Sequence, residues 1–246
     1  MYPTILIGSI ALPTYPLLLL VAFWAGLALA AHRAKQLGLD EDHVYNAGLY
    51  GLIAGIIGAR LWFVLSHWQN YTGNIWQAFS LSRSALSTGE GLVIAGLVVL
   101  IYLQRHNVPL GTFFDAAAWG LALMIVMANI GAFLGGVALG LPSNLPWAIE
   151  LVGTARHPVQ LYEALAGLVS LAILYFSRTW QPWPGFQFWL LLALYSLSRL
   201  LLEIFRGQPY LIGDGYLAGQ IMALAVLVVA LLVMAYNFTR QPTVDA

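Results

Sequence analysis

Arg156-His157-Pro158-Val159-Gln160-Leu161-Tyr162-Glu163 leads directly into an apolar run, Ala164 to Phe176. With its polar start, the run is long enough to cross a hydrocarbon core about 30 Å thick. Pro158 suits the first turn of a helix, where its missing N–H would have no intrahelical partner. On that helix His157, Gln160 and Glu163 recur every third residue, so they share a polar stripe. A carboxylate carried into hydrocarbon costs roughly 2.5 kcal/mol or more. Glu163 therefore marks either a functional site or an ion pair that holds helices together.

Composition extends this reading to the whole chain. Of 246 residues, 61% are hydrophobic and 8% are charged, against roughly 25% charged in a soluble domain, which makes this an all-α integral membrane protein. Net charge is zero, Lys35 is the lone lysine and no basic face exists, so nucleic acid is not a partner. Cysteine is absent, which excludes disulfides, thiolate metal sites and a cysteine nucleophile. Any thiol chemistry must use a substrate's thiol. His32, His43, His67, His106 and His157 do not stand at metal-ligand spacing from one another or from a carboxylate, and neither a metal nor a cofactor is expected. The stretch from Met1 to Tyr15 lacks Lys and Arg, unlike the start of a cleaved signal peptide, so the first apolar run is expected to be retained as a span.

Hydropathy predicts about seven transmembrane helices in one bundle and one domain, residues 1–246. The spans fall near Pro16–Ala34, Val44–His67, Gly91–Gln104, Thr112–Leu139, Pro158–Ser177, Gly185–Phe205 and Gly213–Asn237. The first, third and fifth connections and the C-terminal tail carry Arg33, Lys35, Arg105, Arg178 and Arg240, while the other side carries Arg83, Arg156 and Arg206. The excess on the first side predicts an external N-terminus and a cytoplasmic C-terminus.

In that topology the remaining polar groups share one depth. Tyr15, Arg60, Glu90, Asn129, His157, Gln160 and Glu163 all fall in the outer half of their spans, as do Asp214 and Gln220 at the start of the seventh. Tyr195, Arg199, Glu203 and Arg206 recur at spacings of four, four and three along one face of the sixth. Polar residues that only glue helices would be scattered through the bundle, so a common depth predicts one polar cavity open to the external leaflet.

Arg60, Arg199 and Arg206 suit a phosphodiester, because the guanidinium fork matches phosphate oxygens in two-point contacts. Glu163 and Glu203 would balance those cations in the empty site. Arg206, near a helix end, has the alternative of reaching out to the interface. His157 is placed for proton exchange or for a backbone hydrogen bond at the helix start. Gly58, Gly131, Gly135, Gly136 and Gly140 read first as close helix contacts.

The opening octapeptide closely resembles the R-H-P-S-Q-L-Y-E segment of the bacterial prolipoprotein diacylglyceryl transferases. Further matches follow in order: Tyr15, Gly58-Ala59-Arg60 where that family has G-G-R, the Tyr195, Arg199, Glu203, Phe205-Arg206 pattern, and Gly219-Gln220-Ile221. The resemblance implies seven spans and an external N-terminus in the bacterial plasma membrane. It also implies transfer of a diacylglyceryl group from phosphatidylglycerol to the lipobox cysteine of a prolipoprotein, whose signal peptide would be a partner. On that basis His157, Glu90, Glu163, Arg199 and Glu203 are candidate catalytic residues. Tyr15, Arg60, Asn129, Gln160, Tyr195 and Arg206 are candidate substrate contacts.

Two segments depart from the family's pattern. A family S-F-H-G-G-L segment with a histidine base corresponds to Ser87-Thr88-Gly89-Glu90-Gly91-Leu92, which puts Glu90 one position from the histidine. The family's G-R-x-G-N-F-x-N-x-E corresponds to residues 128–137, where Asn129 replaces the Arg, Ala132 an Asn and Val137 the Glu. The alternative is therefore a catalytically inactive lipid-binding or scaffold homologue. A transporter or channel would show repeats with interrupted helices, or a polar lining through the full depth, and neither is visible.

Overall fold

The computed structural model describes residues 3–8, 10–71, 73, 87–207, 211–212 and 215–240. Arg83 and Asp214 lie outside them. Among the described residues, seven helices alternate in direction: α1 (Thr14–Gln36), α2 (Glu41–Ser66), α3 (Thr88–Arg105), α4 (Leu110–Gly135), α5 (Val159–Phe176), α6 (Phe186–Leu202) and α7 (Ala218–Thr239). Six of them, α6 being counted through Phe205, are long and apolar enough to cross a membrane by length and composition. Helix α3 has 18 residues, hence about 27 Å of rise, and lies along α2. Large side chains such as Leu92, Phe176 and Met222 stand 70%, 80% and 65% exposed, which suits helices solvated by lipid.

Several observed boundaries differ from the hydropathy reading. Helix α4 stops at Gly135, four residues short of the expected Leu139, because Gly136 enters the left-handed region at φ 68°. The Val137 N–H then donates to Ala132 O at 3.0 Å and the Gly136 N–H to Phe133 O at 3.3 Å, closing the end as a Schellman motif. Helix α2 starts at Glu41, ahead of the apolar run, because Asp40 accepts the Asp42 N–H at 3.0 Å and Glu41 and Asp42 sit favourably at the dipole's positive end. Helix α6 ends at Leu202 and passes into a 3₁₀ turn, Glu203–Phe205.

Among the described residues, three short antiparallel strand pairs border these helices: β1 (Thr4–Ile7) with β2 (Ile10–Pro13), β3 (Ile149–Leu151) with β4 (Thr154–Arg156), and β5 (Leu211–Ile212) with β6 (Tyr216–Leu217). The β3–β4 turn places Val152 and Gly153 at φ 54° and 72°, the paired positive angles of a type I′ turn. The segment after α4 is held from both sides. Its Leu141 N–H donates to Phe205 O at 2.8 Å and Leu139 O accepts from Gly207 at 2.9 Å, while Leu141 O accepts from His157 at 3.0 Å. Backbone that leaves a helix near hydrocarbon needs such partners.

Glycine sets the helix spacing. A Cβ on Gly120 would meet Gly26 O, and one on Gly26 would meet Met124 and Gly120 O, so α1 and α4 touch backbone to backbone. Between α2 and α3, Gly55 and Gly91 meet backbone to backbone, while Gly51 and Gly58 make room for the side chains of Val99 and Ile94. The two pairs join around Ala30, Ala34, Val44, Leu103 and Phe113, near the C-terminal end of α1. Elsewhere they leave an apolar cleft of about 530 Å³ between them, with Phe23, Gly48, Gly55, Leu92, Ala95 and Met124 among its lining. We predict that Gly120→Val lowers stability in detergent by about 1–3 kcal/mol through overpacking. Gly96→Ala, whose Cβ meets nothing within 4 Å, should instead raise stability by up to about 1 kcal/mol, because alanine is the better helix former.

Candidate functional site

Glu163 lies in the second turn of α5, one helical step beyond the Pro158 entry, and is 7% exposed. Its carboxylate takes hydrogen bonds from two arginines on other elements. Arg199 Nη1 donates to Oε1 at 2.7 Å, and Arg206 Nη2 donates to Oε1 and Oε2 at 2.7 and 3.0 Å. Arg199 Nη2 also donates to Glu203 Oε2 at 2.5 Å, and Arg206 Nε stands 3.4 Å from the same oxygen. The i, i+4 spacing brings the first of these pairs together on α6. For the second, the 3₁₀ turn matters: at three residues per turn it eclipses Glu203 and Arg206.

The result is a closed ring of two carboxylates and two guanidinium groups, formally neutral, built from α5, α6 and the turn after α6. Glu203 is 4% exposed. In so apolar a bundle each charge is tolerable only because the others are in place. Helix α7 locks the ring from behind. A Cβ on Gly219 would strike the Glu203 carboxylate, and Gln220 Nε2 donates to Leu200 O at 3.1 Å.

Beside the ring lies a cavity of about 570 Å³, lined by residues 136–139, Arg156, Arg206 and Gly207. Gly140, next to it, must be glycine, since a Cβ there would meet the His157 carbonyl oxygen. Gln160 is 1% exposed, and its Nε2 donates to Val137 O at 2.8 Å, tying α5 to the cavity's loop while its Oε1 stays buried without a partner. Arg156 was absent from the candidates drawn from the sequence. Its Nη1 donates to Gly140 O at 3.0 Å. The signal was available: it opens the octapeptide, one residue ahead of His157.

Of the other expected residues, His157 and Tyr195 lie just before α5 and on α6, the helices that carry Glu163 and Arg199, whereas Tyr15, Arg60, Glu90 and Asn129 lie on α1, α2, α3 and α4. His157 turns its ring toward Phe205, 4.8 Å between centroids, and Tyr162 Oη lies 3.5 Å from its Nδ1, with Trp147 Nε1 donating to the same hydroxyl at 2.8 Å. Tyr15 fills the space left by Gly131 and Gly135 where α1 meets α4. Tyr195 sits one turn before Arg199 and is 37% exposed. Arg60, buried on α2, has Phe63 and Tyr71 within 5.9 and 5.6 Å of its guanidinium carbon. Glu90 is exposed in the first turn of α3, and Asn129 Nδ2 donates back to Ile125 O of its own helix at 2.9 Å. Among the described residues, no group of three His, Asp or Glu forms a metal site.

The prolipoprotein diacylglyceryl transferase sequence model matches residues 3–236. The chain belongs to this family. Similar proteins named phosphatidylglycerol–prolipoprotein diacylglyceryl transferase include one from Clostridioides difficile, 28% identical and aligned over 87% of this chain and 86% of its own. One from Campylobacter jejuni subsp. doylei is 32% identical over 87% of this chain and 84% of its own. One from Trichormus variabilis is 27% identical over 96% and 89%. The matched stretch takes in every residue of the ring and the cavity.

Removing Glu163 should expose how the ring is held. Glu163→Ala leaves two guanidinium groups sharing one carboxylate, and we predict a loss of about 3–5 kcal/mol in detergent unfolding. Glu163→Gln combined with Arg206→Gln should destabilise by less than the sum of the two single changes, the mark of a direct pair.

Proposed function

We propose that this protein transfers the diacylglyceryl group of a phosphatidylglycerol-like lipid to the thiol of a lipobox cysteine in a prolipoprotein, at the external face of the bacterial plasma membrane. The observation that carries the reading is the ring Glu163–Arg199–Glu203–Arg206 standing beside a polar cavity at one end of an apolar bundle. An anionic amphiphile needs that pairing of charge and hydrocarbon, and the apolar cleft between the two helix pairs offers room for acyl chains. Family membership supplies the reaction class.

In this reading the substrate sulfur attacks the glyceryl carbon that bears the phosphate ester. The S–C bond forms as the C–O bond breaks, and the electron pair leaves with the oxygen of glycerol 1-phosphate. The thiol proton passes to Glu90 or His157. Arg199 and Arg206, oriented beforehand by the two carboxylates, face the charge that grows on the departing phosphate. Tyr15, Arg60, Asn129, Gln160 and Tyr195 position the headgroup and glyceryl portion. No cofactor enters the reaction.

One observation favours a second reading, lipid binding without turnover. The end of α4 and the loop after it bring no charge to the site: Asn129 is bonded to its own backbone, and Ala132 and Val137 are apolar. The same assay separates the two. Purified protein is incubated with labelled phosphatidylglycerol and a lipobox peptide, and lipidated cysteine is measured. Transfer that falls about a hundredfold or more in Arg199→Ala, and is lost in Glu90→Gln, supports the enzyme. Lipid binding with no product, where an active relative yields product, supports the silent homologue.

Orientation is tested separately, because the chain contains no cysteine. In whole cells, Trp147→Cys at the site end should react with a membrane-impermeant maleimide and Asn107→Cys at the opposite end should not. The reverse labelling would put the site on the cytoplasmic side.

A further inference from the structure

We propose that the β3–β4 hairpin and the residues just ahead of it form a membrane-contact surface, with Trp147 and Val152 seated among the headgroups and upper acyl carbons of the leaflet on the site side. The contact goes beyond the transfer reaction and does not depend on it.

Helix α5 supplies the reference. Tyr162, Leu165, Val169, Ala172 and Phe176 recur at spacings of three, four, three and four, which is one face of a helix. From Leu165 onward this stripe is exposed and apolar, and α5 is a membrane span by length and composition, so the stripe faces hydrocarbon. Tyr162 heads the stripe at the site end. Trp147 Nε1 donates to its hydroxyl at 2.8 Å, which seats the indole over the top of the lipid-facing side. A tryptophan–tyrosine pair at the end of a span marks the boundary between hydrocarbon and water.

The indole is suited to that place. Its residue is 58% exposed, yet its one polar side-chain atom already has a partner within the protein. A bare ring whose N–H is satisfied enters an apolar medium with no hydrogen bond lost.

Val152 is the second, independent sign. It occupies the first of the two left-handed positions of the type I′ turn, at φ 54°, where the backbone favours asparagine, aspartate or glycine. A β-branched residue there is strained. Packing within the protein does not repay the strain, because Val152 is 71% exposed. An apolar tip gains free energy when it meets lipid instead of water. Glu150 stands opposite Ala155 on the exposed face of the hairpin, where the headgroup layer hydrates it.

The contact has a consequence for the site. Ser143 N–H donates to Ala155 O at 2.9 Å and Leu141 N–H to Phe205 O at 2.8 Å, which ties β4, the loop after α4 and the turn after α6 into one unit. A hairpin tip seated in the leaflet therefore sets the height of that loop, and of the cavity it lines, at the depth of lipid headgroups.

The test uses the full chain labelled with fluorotryptophan, one copy per nanodisc, with the Trp147 resonance assigned by its loss in Trp147→Phe. A nitroxide near the top of a lipid acyl chain should broaden that resonance more than a water-soluble gadolinium chelate does. Val152→Asn suits the turn, so its unfolding midpoint in detergent should hold or rise, while nitroxide broadening at Trp147 should fall by about twofold or more as the tip leaves the lipid. Val152→Leu keeps an apolar tip and should keep the broadening. Stronger broadening by the chelate, or equal nitroxide broadening in the wild type and Val152→Asn, overturns the proposal. So does a lower midpoint for Val152→Asn, which would place the valine in a protein contact. Protection from the chelate only in nanodiscs holding several copies would assign the surface to a second chain and overturn the lipid contact as well.

Discussion

The bond between Glu163 and two arginines is the constraint from which the rest of this end of the molecule follows. A single carboxylate in hydrocarbon is unstable, and so is a single guanidinium. Joined through five close contacts they become tolerable, but only if α5, α6 and the turn after α6 hold their relative positions to within a fraction of an ångström. The 3₁₀ turn at Glu203, the glycine at 219 and the glutamine at 220 are each explained by that requirement. They bring Arg206 back over Glu163 and let α7 approach the ring at backbone distance.

The loop after α4 is the second half of the design. Its strand-like bonds to residues 205–207 on one side and 157 on the other hold irregular backbone against the ring. Because the loop is fastened to both arginine-bearing segments, the cavity between Arg156 and Arg206 has fixed walls. Preformed walls let donors face a ligand without reorganisation, which is what an electrostatic site requires.

Away from the site the bundle is assembled by a different force. Between helices in lipid there is no hydrophobic drive, so packing density decides, and glycines such as 26, 58, 91 and 120 permit close approach. The α1–α4 and α2–α3 pairs are each tight internally, yet they meet each other mainly near the C-terminal end of α1. The cleft left between them places apolar volume within the same bundle as the charged ring, an arrangement suited to a molecule with hydrocarbon at one end and phosphate at the other.

Much of this was readable from the residues in order. Apolar runs of membrane-spanning length give the helices, because hydrocarbon forces each segment to satisfy its own backbone. The spacing of Arg199 and Glu203 gives their pairing, because helical geometry is local. The octapeptide that leads into α5 and forms its first turn marks the site and the family. What the order of residues left open depended on contacts between distant segments. That Arg206 bridges to Glu163, that His157 turns to Tyr162 and Phe205, that Asn129 folds onto its own helix and that Arg156 has no carboxylate partner among the described residues are all settled by packing. The physical reason is that periodicity reports which face of a helix a residue occupies, whereas the partner it meets there is chosen by the close approach of helices and by the loop that fills the space between them.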